Sequence, residues 1–186
     1  MHPEIRRILQ ETDTTGWKEI AVEYGPEILS VRVPAECDIL SMKEIPNLAD
    51  PLAAFEKALS HPIGCPPLEE IIRSKGKPAA ALTAAITVSD ITRPVPYREE
   101  DGMLRPLLNR LEAAGIPRNS ITIIIGNGMH RPSTAAERVE MFGDRIIRDY
   151  PVIDHDCEDL ASLTFVGKSG TGGDVFVNSA FSRADL

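Results

Sequence analysis

Long apolar runs are missing from this chain. No stretch approaches the roughly 20 apolar residues that a bilayer-spanning helix needs, so a membrane protein is not expected. The N-terminal residues Met1-His2-Pro3-Glu4-Ile5-Arg6-Arg7 carry both signs of charge and have no apolar core, which is not the pattern of a secretory signal. Cysteine is scarce. Cys37, Cys65 and Cys157 are widely spaced, odd in number and form no C-x-x-C pair. A disulfide framework is thereby excluded, and buried or half-buried reduced thiols in a cytoplasmic protein are expected. Basic charge is in deficit: 20 Lys and Arg stand against 28 Asp and Glu, a formal net charge of -8. Non-specific binding to nucleic acid or to an anionic membrane needs a basic footprint, so neither partner is expected. An anionic small molecule is not excluded, because a few local arginines outweigh the global sign.

What is present reads as a globular domain, 42% hydrophobic and 26% charged. Residues 1–15 form a polar arm or short helix, and residues 16–186 the domain. Two strand-like runs, Glu19 to Tyr24 and Ile28 to Val33, flank Gly25-Pro26 and predict an N-terminal β-hairpin. A further short strand is expected over Asp38 to Met42. Helices follow over Pro51 to Ser60 and Leu68 to Ser74, separated by the proline-rich stretch Pro62 to Pro67, which cannot continue a helix.

Beyond this point the pattern alternates. Ala79 to Val88 reads as a strand buried on both faces, and Ile121 to Ile125 as a second. Between them Leu104, Leu107, Leu108 and Leu111 recur at helical spacing, with Gly115 as a stop. Thr134 and Glu137 make a capping-box signature for a helix that ends near Gly143. Tyr150 to Asp154 predicts another strand, and the runs Leu163 to Val166 and Val175 to Asn178 a second hairpin. The fold class is α/β: a three-layer Rossmann-like domain with a mostly parallel sheet, plus the N-terminal β-hairpin.

Ligands of open α/β sheets bind beyond the carboxyl ends of the strands. Two loops occupy that position here. One carries Asp90 and Arg93, the other His130, and neighbouring strands bring them to one edge. Together they supply an anion clamp, a titratable base and a carboxylate able to orient it. Taken singly, each also fits a turn or a helix cap. The prolines after Arg93 (Pro94 and Pro96) hold that loop extended. Three other motifs fail. Gly167-Lys168-Ser169 has Ser162 where a phosphate-binding loop needs its first glycine, and Gly126-x-Gly128 has Arg131 where a dinucleotide fingerprint needs its third. No H-x-x-x-H, E-x-x-H or Cys/His cluster supplies a metal site, and His155, between Asp154 and Asp156, reads as structural.

Ser89-Asp90-Ile91-Thr92-Arg93-Pro94-Val95-Pro96 and Gly126-Asn127-Gly128-Met129-His130-Arg131-Pro132 resemble the two hallmark segments of the nickel-pincer lactate racemase family. The resemblance extends through Tyr24-Gly25, Pro62 to Pro67, and the tail from Val166-Gly167 through Val177-Asn178 to Ala184-Asp185. It implies that Asp90, Ile91, Thr92 and Arg93 line a nickel-carrying pyridinium mononucleotide and the substrate, and that His130 is one of two catalytic histidines. It implies a 2-hydroxy acid substrate, hydride transfer to the cofactor and histidine acid/base catalysis. It further implies that the family continues beyond Leu186 into a second histidine, a cofactor-bearing lysine and a metal-ligand histidine. Alone, the chain is therefore expected to be inactive, to bind no nickel and to retain no cofactor, and its partner is the C-terminal domain of the same protein. The competing reading is a non-catalytic α/β module that holds a nucleotide-like or anionic ligand at the same sheet edge.

Overall fold

The computed structural model describes residues 16–93, 97–98 and 102–186. The expected N-terminal arm and the Pro94-Val95-Pro96 segment lie outside the described residues. The chain divides into two compact units between Asn47 and Leu48.

In the first unit β1 (Trp17–Tyr24) and β2 (Glu27–Pro34) form the expected antiparallel hairpin. Tyr24 pairs with Glu27, so Gly25 and Pro26 alone make the turn, and Gly25 takes a positive φ of 60° that a β-carbon would disfavour. The strand expected over Asp38 to Met42 is absent: these residues take no regular structure, and among the described residues no strand pairs with them.

The second unit contains α1 (Pro51–Ser60), α2 (Leu68–Ser74), β3 (Ala84–Ser89), α3 (Leu104–Ala113), β4 (Ile121–Gly126), α4 (Ala135–Phe142), α5 (Asp144–Asp149), β5 (Val152–Asp154), β6 (Leu163–Lys168), β7 (Asp174–Asn178) and α6 (Ser179–Arg183). Strands β3, β4 and β5 form a parallel sheet in that order. This is the α/β class expected, with its parallel sheet and the hairpin. Strands β6 and β7 pair antiparallel and bulge between Phe165 and Gly167.

The run from Ala79 does not begin as a strand. Ala79–Ala81 is a 3-10 turn, and β3 starts only where Ile86, Thr87 and Val88 supply branched side chains. Nor is β3 buried on both faces, since Thr87 is exposed. On the other face Ala84 and Val88 join Ile121, Ile123 and Ile125 of β4. Against them pack Ile72 of α2, Leu104, Leu108 and Leu111 of α3, Met141 and Phe142 of α4, and Ile146 of α5. Each such aliphatic or aromatic side chain contributes about 1.5–3 kcal/mol by leaving water. Helices α2 to α5 thus lie against this face of the sheet, while α6 packs beside β3 and its Phe181 shares a cleft with Thr87 and Ile124 of the other face. Leu186 accepts a backbone bond from Ala85.

The capping box of α4 is present: Thr134 accepts from the Glu137 amide, and Glu137 accepts from the Thr134 amide. Gly143, at φ 79°, ends that helix and turns the chain into α5, which the sequence pattern did not separate. Cys37 and Cys65 are exposed rather than buried, and Cys157 is half-buried; all three are free thiols. Neither exposed one lies in a strand or helix that could carry it inward. Among the described residues no helix is long and apolar enough to cross a membrane.

Candidate active site at the carboxyl edge of the sheet

The register of the sheet fixes the site. Ser89 at the end of β3 pairs with Gly126 at the end of β4, and Ile125 pairs with Asp154 at the end of β5. The residues that follow these strand ends therefore emerge at one edge. They are Asp90, Asn127 and His155.

The first loop turns at once. The Arg93 amide donates to the Asp90 carbonyl (3.1 Å), and Asp90 Oδ1 accepts from the Thr92 hydroxyl (2.5 Å) and the Thr92 amide (3.3 Å). The other carboxylate oxygen, Oδ2, accepts from His130 Nδ1 at 2.5 Å. Asp90 itself is buried, at 8% exposure. Its carboxyl is held below the ordinary value by the Thr92 hydroxyl and then by His130, against the opposing effect of burial. An ionised Asp90 needs a proton on His130 Nδ1. In the neutral ring that leaves Nε2 as an acceptor. The dyad has the logic of a carboxylate-oriented histidine base.

A second loop carries His130. Gly128 sits at φ 60°, which lets the chain turn between Asn127 and Met129, and the His130 amide closes the turn on the Asn127 carbonyl (3.0 Å). Asn127 is 3% exposed, and its amide donates to the Arg131 carbonyl (3.1 Å) and to Asp154 Oδ1 (2.9 Å). Asp154 Oδ1 also accepts from the Ser133 amide (3.1 Å), while Oδ2 accepts from Arg138 of α4. One carboxylate on β5 thus ties both ends of the histidine loop to the next helix. Burial opposes the charge on Asp154, but the bonds from Asn127 and Ser133 and that from Arg138 outweigh it and lower its pKa. These roles of Asn127, Asp154 and Arg138 were missed from the sequence. The contacts span up to 27 residues and no local pattern marks them.

A cleft of about 360 Å³ is lined by Ser89, Asp90, Thr92, Arg93, Tyr97 and His130, among others. The structure thus brings together four of the five site residues named from the sequence. Ile91 points elsewhere and packs against the hydrophobic core. Arg93 is exposed, and its guanidinium has no bond to any described residue. It remains available to an anion. Tyr97 is an addition: its hydroxyl accepts from the Ser89 amide (2.9 Å) and its ring stacks on Phe142, with centroids 6.0 Å apart. Gly102 makes room for it, because a β-carbon there would lie 2.4 Å from the Tyr97 carbonyl carbon. Among the described residues no group of three His, Cys, Asp or Glu side chains could hold a metal ion.

The family model described as lactate racemase N-terminal domain matches residues 24–186. The chain belongs to this family. Among the relatives of the lactate racemase N-terminal domain is the lactate racemase of Lactiplantibacillus plantarum, 35% identical over 131 residues, which are 70% of this chain and 28% of that protein. The lactate racemase of Thermoanaerobacterium thermosaccharolyticum is 29% identical over 131 residues, again 70% of this chain and 28% of that one. The solved lactate racemase apoprotein from the latter organism shares the fold at a TM-score of 0.69 and 25% identity, covering 91% of this chain and 37% of that one. The matched region is therefore little more than a third of these relatives at most.

Proposed function

We propose that this lactate racemase N-terminal domain supplies the acid/base half of a 2-hydroxy acid racemase or epimerase. The observation that carries the reading is the Asp90–His130 pair, 2.5 Å apart, in a cleft beside Arg93, whose guanidinium no described residue binds. Arg93 holds the substrate carboxylate through a bidentate pair. The substrate hydroxyl donates to His130 Nε2, which takes its proton as the carbinol carbon is oxidised. Asp90 balances the imidazolium so formed and keeps the ring in the productive tautomer. The 2-keto acid that results is planar. Its reduction on the opposite face, with a proton from a second donor, gives the other enantiomer.

The family's nickel-pincer mononucleotide, when bound, supplies the acceptor and donor of the hydride. The donors present suit the anionic part of such a group: the Thr92 hydroxyl and the Arg93 guanidinium line the cleft. The described residues offer no set of metal ligands, so the metal is assigned to the portion of the relatives beyond the matched region. That portion is also the proposed partner of this chain, and a cytoplasmic location and the absence of nucleic-acid and membrane partners belong to the same reading.

Racemisation of L-lactate in D₂O tests it, using a protein that carries this chain together with the remaining portion found in its relatives. Hydride transfer returns the original hydrogen, so the D-lactate formed should carry almost no deuterium at C2 by mass spectrometry. Full deuteration at C2 would mean that a base removes the carbon-bound proton, and the roles given to His130 and Asp90 would fall. A non-catalytic module would give no D-lactate at all.

A further inference from the structure

We infer that His155 is a ligand-contacting hydrogen-bond donor, with a protonation pattern opposite to that of His130. The inference deepens the hydroxy-acid reading and rests on it. His155 follows the last residue of β5, and its amide donates to the Ile125 carbonyl (2.8 Å), which extends the β4–β5 ladder by one bond and fixes the backbone. His155 lines a second cleft of about 380 Å³, which shares His130 with the Asp90–Arg93 cleft and has Asp154, Asp156 and Glu158 in its wall as well. The same His155 also borders an apolar cleft of about 320 Å³ walled by Ile124, Phe176 and Phe181.

Which ring nitrogen carries the proton follows from Asn178. The Asn178 side-chain oxygen caps α6, accepting from the amides of Ala180 (2.9 Å) and Phe181 (3.4 Å). With its oxygen so engaged, the amide turns its NH₂ toward His155, and Nδ2 lies 3.5 Å from His155 Nδ1. An NH₂ group can only donate. His155 Nδ1 is then the acceptor, and in the neutral ring the proton sits on Nε2. No described residue takes a bond from that Nε2–H. In His130 the carboxylate of Asp90 enforces the reverse, with the proton on Nδ1 and the lone pair on Nε2. A ligand held at His130 thus meets one imidazole that accepts a proton and, in the adjoining cleft, one that donates a hydrogen bond. An α-hydroxy carboxylate presents both an O–H to be accepted and oxygens to be bonded, and so fits the pair.

The test has two parts. The ¹⁵N spectrum of the histidine-labelled chain, with the His155 signals assigned by their loss in His155→Phe, should show a protonated Nε2 and an unprotonated Nδ1. Lactate titration should be done calorimetrically on the protein that carries this chain with the remaining portion of its relatives. His155→Phe, which keeps ring volume but has no donor, should weaken binding about tenfold or more. His155→Gln, whose Nε2 can donate from a similar reach, should stay within about threefold of the original, and thermal midpoints should match. A proton on Nδ1, or equal affinity in His155→Phe, overturns the inference and leaves the hydroxy-acid reading standing. Failure of the unaltered protein to bind lactate overturns both.

Discussion

A carboxylate whose two oxygens both accept bonds from neighbouring side chains is well placed to fix those side chains. Asp90 gives one oxygen to Thr92 and the other to His130, and in the proposed reaction it orients that ring and balances its charge. Asp90→Asn should therefore leave ligand affinity nearly unchanged and lower kcat about 10²–10⁴-fold, because a neutral amide no longer enforces the Nδ1–H tautomer. A matching rise in KM would instead mark Asp90 as a substrate contact. Much of this site was legible in the sequence, since Asp90, Arg93 and His130 each follow a strand-like run and parallel strands send such loops to one edge. Tyr97 was not, because its bond to the Ser89 amide depends on the path of the loop between them. The tautomer of His155 was hidden for the same reason, as it is set by an asparagine 23 positions away.

Among the secondary-structure elements, the link between β5 and α4 decides where His130 stands. Asp154 joins Asn127, Ser133 and Arg138, and its side chain is 9% exposed. Asp154→Ala strands the guanidinium and two donors, which should cost about 2–3 kcal/mol. Such a loss lowers the thermal midpoint of a chain this size by about 5–10 °C. An unchanged midpoint by differential scanning calorimetry would show that the loop does not depend on this carboxylate. The start of α4 gives a pH signature. Glu137 bonds Arg131 and the Thr134 amide, which hold its pKa down to about 2 from a model-compound value of 4.5. A lowered carboxyl pKa stabilises the fold fully above its unfolded value, and that contribution fades as pH falls through the folded one. Thermal midpoints of the original and Glu137→Gln proteins should thus differ most above about pH 4.5 and converge toward pH 2. A gap that widened on acidification would reverse the sign. The capping box was readable because its residues are three apart. The exposure of Thr87 was not, since a run of small residues does not say how each face of the strand is covered.

On the scale of the whole molecule, the chain spans 28% of the length of the curated relatives it matches and 37% of the solved one. Helices α2 to α5 lie against one face of the three-stranded sheet, while on the other face Thr87 of β3 is exposed beside the apolar cleft under Phe176 and Phe181. In the proposed reaction the Asp90–His130 pair lies within the described residues, whereas the second proton donor and the metal are assigned to the remaining portion of the relatives. On that proposal activity requires both portions. The 186-residue chain incubated with L-lactate is expected to form no D-lactate by enantiomer-resolved chromatography, and turnover by the chain alone would place the whole reaction within it. The most direct test of the central claim is a paired measurement of kcat and thermal midpoint on His130→Ala, made in the protein that carries this chain with the remaining portion of its relatives. Loss of a general base should cut lactate racemisation by about 10²–10⁴-fold or more while the exposed ring's removal leaves the midpoint within a few degrees. Near-normal kcat in well-folded His130→Ala protein would contradict the account.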